Sequence, residues 1–201
     1  MKKLIHPTYF PSIKIFSELI SVDELIFEVS DNYQKQTERN RTSIYSANGK
    51  QTLSIPVNFS SLKERKFKDI RVCYETNWQK VHLKSIEYSY RSSPYYEYFE
   101  ERFIKFFSQK NTFLIDTNIK SIELLYELLN LKLNYLKTEK YLQEYNLIDD
   151  LRYLVSRKKN TIKMQPYVQV FNEKFGFLSN LSMIDLILNY GLKSYYMINN
   201  Q

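Results

Sequence analysis

Within the first thirty residues a strand, a stiffened loop, a helix and a second strand follow one another, and that order limits the fold more than any other feature. Lys3–Tyr9 reads as a short strand running into a loop that holds Pro7 and Pro11. Ser12–Ile20 reads as a helix, because Ile13, Phe16 and Ile20 recur at helical spacing and Ser12 can cap the first turn. Asp23 then precedes Glu24-Leu25-Ile26-Phe27-Glu28-Val29, a second strand. Two strands joined through a helix lie parallel, so this opening predicts the start of a parallel α/β sheet.

Further along, residues 42–58 predict a β-hairpin, with Ala47-Asn48-Gly49 as the turn between two β-rich runs. Ile70–Tyr74 alternates and reads as another strand. Helical stripes dominate from there on. Trp78–Tyr90 aligns Leu83, Ile86 and Tyr90; Tyr95, Phe99, Phe103 and Phe106 form a second stripe; Ser121–Leu136 is the clearest helix; Asn180–Asn189 is the last, stopped by Gly191. The expected fold class is α/β: a mixed, mostly parallel sheet in the N-terminal half with a β-hairpin, and a helical C-terminal half. No repeat or Pro/Gly/Ser linker divides the chain. One domain over 1–201 is expected, strand-rich over 1–75 and mostly helical over 76–201.

Several chemistries are excluded by counting. Three glycines in 201 residues leave no glycine-rich phosphate loop. One cysteine, Cys73, permits neither an internal disulfide nor a multi-cysteine zinc site. The histidines, His6 and His82, stand 76 positions apart without metal-ligand spacing, and no serine elbow is present, so no metal and no cofactor are expected. No run of about 18 apolar residues exists, so no membrane span is expected. The first residues lack the apolar core of a signal peptide, which points to a cytoplasmic location.

The net charge of +7 is unevenly spread. Residues 31–91 carry 12 basic and 6 acidic side chains, whereas 1–30 are net −1 and 92–201 net +2. That concentration suggests an anion-facing region. Its densest part is Asn32-Tyr33-Gln34-Lys35 followed by Arg39-Asn40-Arg41. Arg39 and Arg41 can each grip a phosphate or carboxylate through paired hydrogen bonds, with Gln34 and Asn40 supplying further donors and acceptors. Lys35 adds charge where a transition state would become negative. The loop after the first strand holds His6 and Tyr9 at the place where open α/β sheets bind ligands. On the Trp78–Tyr90 helix, Trp78 and His82 share a face, which makes His82 the leading general acid or base. Tyr9, Tyr33, Trp78 and Tyr95 are candidate stacking platforms, and His6 and Asn180 candidate supports. Asp185 falls mid-helix among apolar neighbours and needs a partner, for which an arginine of the 39–41 cluster would serve.

These words, in this order, resemble the WbqC-like protein family. The resemblance lies in the Pro-Thr-Tyr-Phe-Pro loop, Tyr-Gln-Lys, Arg-Asn-Arg, Asn-Gly and Leu-x-Ile-Pro of the first block. It continues in the Trp, His-x-Lys and Ser-Pro-Tyr of WQKVHLKSIEYSYRSSPYYEYF, and in PYVQVFNEKFGFLSNLSMIDLILNYG near the C-terminus. Many members carry Gln-Pro where this chain has His6-Pro7. The resemblance implies a role in bacterial surface-polysaccharide (O-antigen type) biosynthesis, as a transferase of an aminoacyl, acyl or similar small group. A weaker likeness, in topology alone, is to the entry of HIGH-motif nucleotidyltransferases.

The expected ligand is therefore a small anionic metabolite or nucleotide-linked donor. Two other readings compete with it. Nucleic-acid binding would use the 18 tyrosines, 13 phenylalanines and the basic segment, but most of these rings fall on helical core stripes rather than between lysines. A non-catalytic partner in a glycan-assembly complex would use helix 95–107 as its interface; a homo-oligomer is a further expectation, with no interface assigned.

Overall fold

A computed structural model describes residues 1–58, 65–156 and 164–199. Its centre is a four-stranded, all-parallel sheet. Strand β1 (Lys2–Ile5) and β2 (Glu24–Phe27) lie side by side, joined by helix α1 (Ile13–Ile20) as the opening of the chain predicts. Ser12 caps α1, its hydroxyl accepting from the Ile15 N–H, and Ile13, Ile15, Phe16 and Leu19 turn inward. Lys3, buried within β1, is neutralised by Glu18 of α1 at 2.6 Å and bonded to Ser21 at 2.8 Å. The ion pair thus ties the strand to its crossover helix.

Next comes the antiparallel hairpin of β3 (Arg41–Ser46) and β4 (Gly49–Ser54), with Ser46 opposite Gly49 and the turn on Ala47 and Asn48. Gly49 carries the positive φ, +90°, that closes such a turn. Strand β5 (Val57–Asn58) pairs with β6 (Arg71–Val72), a shorter strand than the alternation over 70–74 predicts.

Helices α2 (Trp78–Tyr90), α3 (Tyr96–Ser108) and α4 (Leu114–Leu128) pack in sequence around Ile86, Tyr90, Phe99, Phe103, Phe107, Ile122 and Leu125. Helix α4 is displaced toward the N-terminus from the expected 121–136. It stops because Asn130 turns left-handed, φ +55°, and Leu131 N–H reaches back to the Tyr126 carbonyl, 2.9 Å. Leu133 and Leu136 therefore leave the helical stripe. Leu136 instead enters β7 (Leu136–Lys137), which adds to β2, while β8 (Asp149–Asp150) adds to β1. The sheet order is β7-β2-β1-β8, so both outer strands come from the half expected to be mostly helical. The short helix α5 (Asn172–Phe175) follows. Helix α6 (Met183–Tyr190) starts later than expected, after the left-handed Asn180 (φ +51°) and the cap Ser182. A last helix, α7 (Ser194–Asn199), follows Gly191.

Phe10 shows how the pieces lock. It sits at φ +39°, a costly conformation for a bulky side chain. Its N–H is held by the Ser121 hydroxyl at 3.0 Å, and its carbonyl by Thr42 at 2.7 Å and Ser182 at 3.1 Å. Helix α4, strand β3 and the cap of α6 thus meet on the loop that leaves β1.

Gly191 and Gly176 both carry positive φ, +57° and +71°. A Cβ at Gly191 would come within 2.5 Å of the Tyr95 ring, whereas one at Gly176 would meet nothing. Gly191→Ala is expected to lower the unfolding free energy by about 1–3 kcal/mol more than Gly176→Ala, measured by urea denaturation. Equal losses would show that backbone strain alone operates.

Candidate functional site

All four parallel strands end toward the same cleft. His6 follows β1; Glu28 and Asp31 follow β2; Thr138 and Tyr141 follow β7; Asp150 closes β8 and Arg152 follows it. Arg39 enters from the loop before β3. His6, Asp31, Gln34, Arg39, Tyr141, Asp150, Arg152 and Tyr153 line a cavity of about 520 Å³, open to solvent. This is the carboxyl edge of an open parallel sheet, where backbone and loops of several strands converge.

His6 and Arg39 are each 1% exposed. His6 Nδ1 lies 3.2 Å from the Glu28 carbonyl, which can only accept, so Nδ1 carries the proton. The other nitrogen, Nε2, then accepts from an Arg39 terminal nitrogen at 2.8 Å. That same nitrogen donates to Asp31 Oδ2 at 2.9 Å. Arg39 Nε and its second terminal nitrogen are buried and find no hydrogen-bond partner among the described residues. The guanidinium also lies over the Phe67 ring, 5.5 Å from its centre.

Burial, reinforced by the Arg39 charge and opposed by Asp31, pushes His6 down to about 4, so the ring is neutral at pH 7. Its 3.2 Å contact with Asp31 is therefore not an ion pair at that pH. Burial also works to raise Asp31, but His6 and Arg39 outweigh it and hold the carboxyl below its usual range.

Arg152 is built differently. It donates to Asp150 from Nε at 2.9 and 3.0 Å, and to the Leu142 and Gln143 carbonyls at 2.8 Å each. Tyr141 and Tyr145 lie against it at 5.0 and 5.3 Å. Glu28, fully buried, accepts from the Ser30 N–H and the Thr138 hydroxyl, both at 2.8 Å, with Arg152 3.5 Å away. This arginine is thus a fixed, saturated part of the wall, whereas Arg39 retains unused donors.

Behind the cleft, Asn118 of α4 is fully buried. Its amide nitrogen donates to the Pro7 carbonyl at 3.0 Å and the Arg39 carbonyl at 2.6 Å. One side chain therefore fixes the spacing of the loops that carry His6 and Arg39.

Of the residues singled out from the sequence, His6, Gln34 and Arg39 come together in this cleft. The others lie elsewhere. Lys35 is exposed on the same loop and does not line the cavity. The Asn40 amide is spent on the Ile55 carbonyl, 2.9 Å, and Arg41 opens β3 with its Nε buried. Tyr33 stacks on Phe67, and burial pushes its hydroxyl up to about 12 against the pull of Arg39 and Arg41. His82, Trp78 and Tyr9 form a core cluster with Phe107. The Tyr9 hydroxyl lies 2.9 Å from His82 Nδ1, and His82 also bonds the backbone of Ser54. Tyr95 packs on Gly191 and stacks with Phe99.

Asn180 accepts from the Lys14 N–H at 3.0 Å. Among the described residues Asp185 does not pair with an arginine. Its carboxylate accepts from Tyr90 at 2.9 Å, Tyr167 at 2.6 Å and Gln169 at 3.0 Å, so hydroxyl and amide donors replace the expected cation. Missed in the sequence were Glu28, Asp31, Asn118, Asp150 and Arg152. An acidic residue closing an apolar strand, Glu28, was the one available sign.

His82, like His6, is pushed down to about 4 by burial. In the unfolded chain each titrates near 6.5, so below that pH the unfolded state gains protons that the folded state refuses. Stability is therefore expected to fall as pH drops from about 6.5 toward about 4, by up to ~3 kcal/mol per histidine. Urea unfolding across this window checks it: His82→Leu should remove about half of the histidine-linked slope. A slope identical to that of the parent chain would contradict a neutral, buried His82.

A family model described as the WbqC-like protein family matches residues 6–161, a span that includes His6, Asp31, Arg39, Asp150 and Arg152. The "Uncharacterized protein Rv1507c" of Mycobacterium tuberculosis (strain ATCC 25618 / H37Rv) is 28% identical over 98 residues, which are 48% of this chain and 42% of that protein. The chain thus spans less than half the length of this relative. No solved structure matches. Among the described residues no helix is long and apolar enough to cross a membrane, and no group of three or more His, Cys, Asp or Glu side chains is placed to hold a metal ion.

Proposed function

The chain belongs to the WbqC-like protein family, and from that premise we propose that it is a transferase of bacterial surface-polysaccharide biosynthesis that moves an aminoacyl, acyl or similar small group from an anionic activated donor. One observation carries the reading: a guanidinium 1% exposed, on the wall of a cleft at the carboxyl edge of the sheet, with three N–H groups unmatched among the described residues. Buried donors of a charged group are costly to leave unpaired, and a phosphate or carboxylate oxygen is the acceptor that satisfies them. Arg39 holds the donor's anionic group, with Gln34 beside it. Arg152, clamped by Asp150, keeps a second positive charge in the wall, and the Tyr141 and Tyr153 rings offer flat surfaces to a sugar or base.

His6 holds Arg39 in place through Nε2 and is the titratable ring at the cleft. Proton chemistry is assigned to this region rather than to His82, which lies in the core against Tyr9 and Trp78. The negative charge that develops on a transferred carbonyl or a leaving phosphate would fall beside two guanidinium groups in a partly dry site, where each counts for more than in water.

Arg39→Ala is expected to weaken binding of a nucleotide-sugar or acyl donor about 10- to 100-fold by calorimetry, with Arg39→Lys intermediate, from the loss of charge-assisted hydrogen bonds. Lys35→Ala should have a smaller effect, since Lys35 is exposed and off the cavity wall, where charge is screened by solvent. If no anionic donor binds the parent chain, or Arg39→Ala and Arg39→Lys bind as the parent does, the reading fails.

A further inference from the structure

His6 Nε2 stands between a donor and an acceptor: 2.8 Å from an Arg39 nitrogen and 3.2 Å from Asp31 Oδ2. Without a proton on Nε2, the ring can accept from Arg39 and do nothing for Asp31. With a proton there, it can donate to Asp31 but can no longer accept from Arg39. The two hydrogen bonds exclude each other, and Arg39 decides between them.

Asp31 itself stays put, because its other oxygen accepts from the Asn32 N–H at 2.6 Å. Arg39 is the part with a reason to move, since Nε and one terminal nitrogen are buried with no partner among the described residues while the residue itself lines the cavity. We infer, resting on the anion-binding reading of this cleft, that capture of an anion by Arg39 hands His6 over to Asp31 with the uptake of one proton on Nε2. The site thereby loads an acid beside its ligand by the act of binding.

The charge balance agrees. The titratable and charged groups that share the cleft with His6 are Asp31 after β2, Arg39 before β3, Tyr141 after β7, and Asp150, Arg152 and Tyr153 at and after the end of β8; Glu28 meets the ring through its backbone carbonyl. Their two carboxylates and two guanidinium groups balance. An arriving dianion makes this balanced site negative and favours a cationic ring, while withdrawal of Arg39 removes the one contact that requires the ring to be neutral. What keeps the ring neutral without ligand is burial together with the Arg39 charge.

Sulfate is a suitable probe, because it does not itself titrate near neutrality. In the full chain, sulfate affinity is expected to rise about tenfold or more as pH falls from about 7 to about 5, with a matching shift of the His6 ring resonances toward the imidazolium form in ¹⁵N NMR. His6→Gln keeps an acceptor for Arg39 and a donor for the Glu28 carbonyl but cannot take the proton, so its sulfate affinity should vary little with pH. If the parent binds sulfate with a flat pH profile and an unshifted His6 ring, the coupling is wrong while the anion site stands. If the parent binds neither sulfate nor any anionic donor, both are wrong. The NMR reading on the parent chain decides the matter even where His6→Gln folds poorly.

Discussion

A buried guanidinium must find acceptors for its N–H groups or lose several kcal/mol of solvation. Arg39 meets that demand with one nitrogen, shared between His6 and Asp31, and leaves the rest unmet among the described residues. The surrounding structure makes this arrangement hold. Phe67 covers one face of the group, and Asn118 grips the backbone carbonyl of Arg39 itself. Asn118 thus fixes the backbone from which the side chain departs, and Phe67 covers its guanidinium, so the unmatched donors stay buried beside the cleft.

Most of the opening fold was legible in the sequence because its physics is local. Ser12, the Ile13-Phe16 spacing and the apolar strand after Asp23 each act within a few residues, and the parallel pairing of β1 with β2 follows from them. The outer strands were not legible. Strands β7 and β8 are two residues each, too short to show alternation, and they exist because β1 and β2 offer edges more than 100 residues away in sequence. For the same reason Asp150 and Arg152 could not be tied to His6 beforehand: nothing near them in the chain says which edge they join. The basic segment singled out Arg39, which lines the cleft, but its charge is not what distinguishes it from Arg41 and Lys35. Burial distinguishes it, and burial is decided by Phe67 and α4.

His6 and His82 make the same point about environment. Both are almost fully buried, and both are driven neutral mainly by desolvation. Their neighbours part them. The partners of His82 are a neutral hydroxyl and a backbone group, with aromatic rings around them, so the one contact that favours a proton, the Ser54 backbone, is outweighed by burial. His6 has a carboxylate 3.2 Å away and a cation that a ligand can draw off. An aromatic setting and helical spacing, which favoured His82 on sequence grounds, are the attributes of a core histidine. The loop after a strand, with an acidic residue at the end of the neighbouring strand, is the setting in which a histidine can change charge.

The helical half is not a separate support for this cleft but part of its geometry. Asn118 and Ser121 lie one turn apart on α4, and between them they bond Pro7, Arg39 and Phe10. Pro7 and Phe10 bracket the loop after β1, which Pro7 and Pro11 already stiffen, and Phe10 is held in a left-handed conformation it would not keep alone. Strand ends, loops and α4 therefore reach their positions together. The strain at Phe10 and the unmet donors of Arg39 are both borne by the same helix. A site that is destabilising in itself persists here because it is welded to the buried core that holds Phe103, Phe107, Ile122 and Leu125, where Phe10 packs on the two phenylalanines.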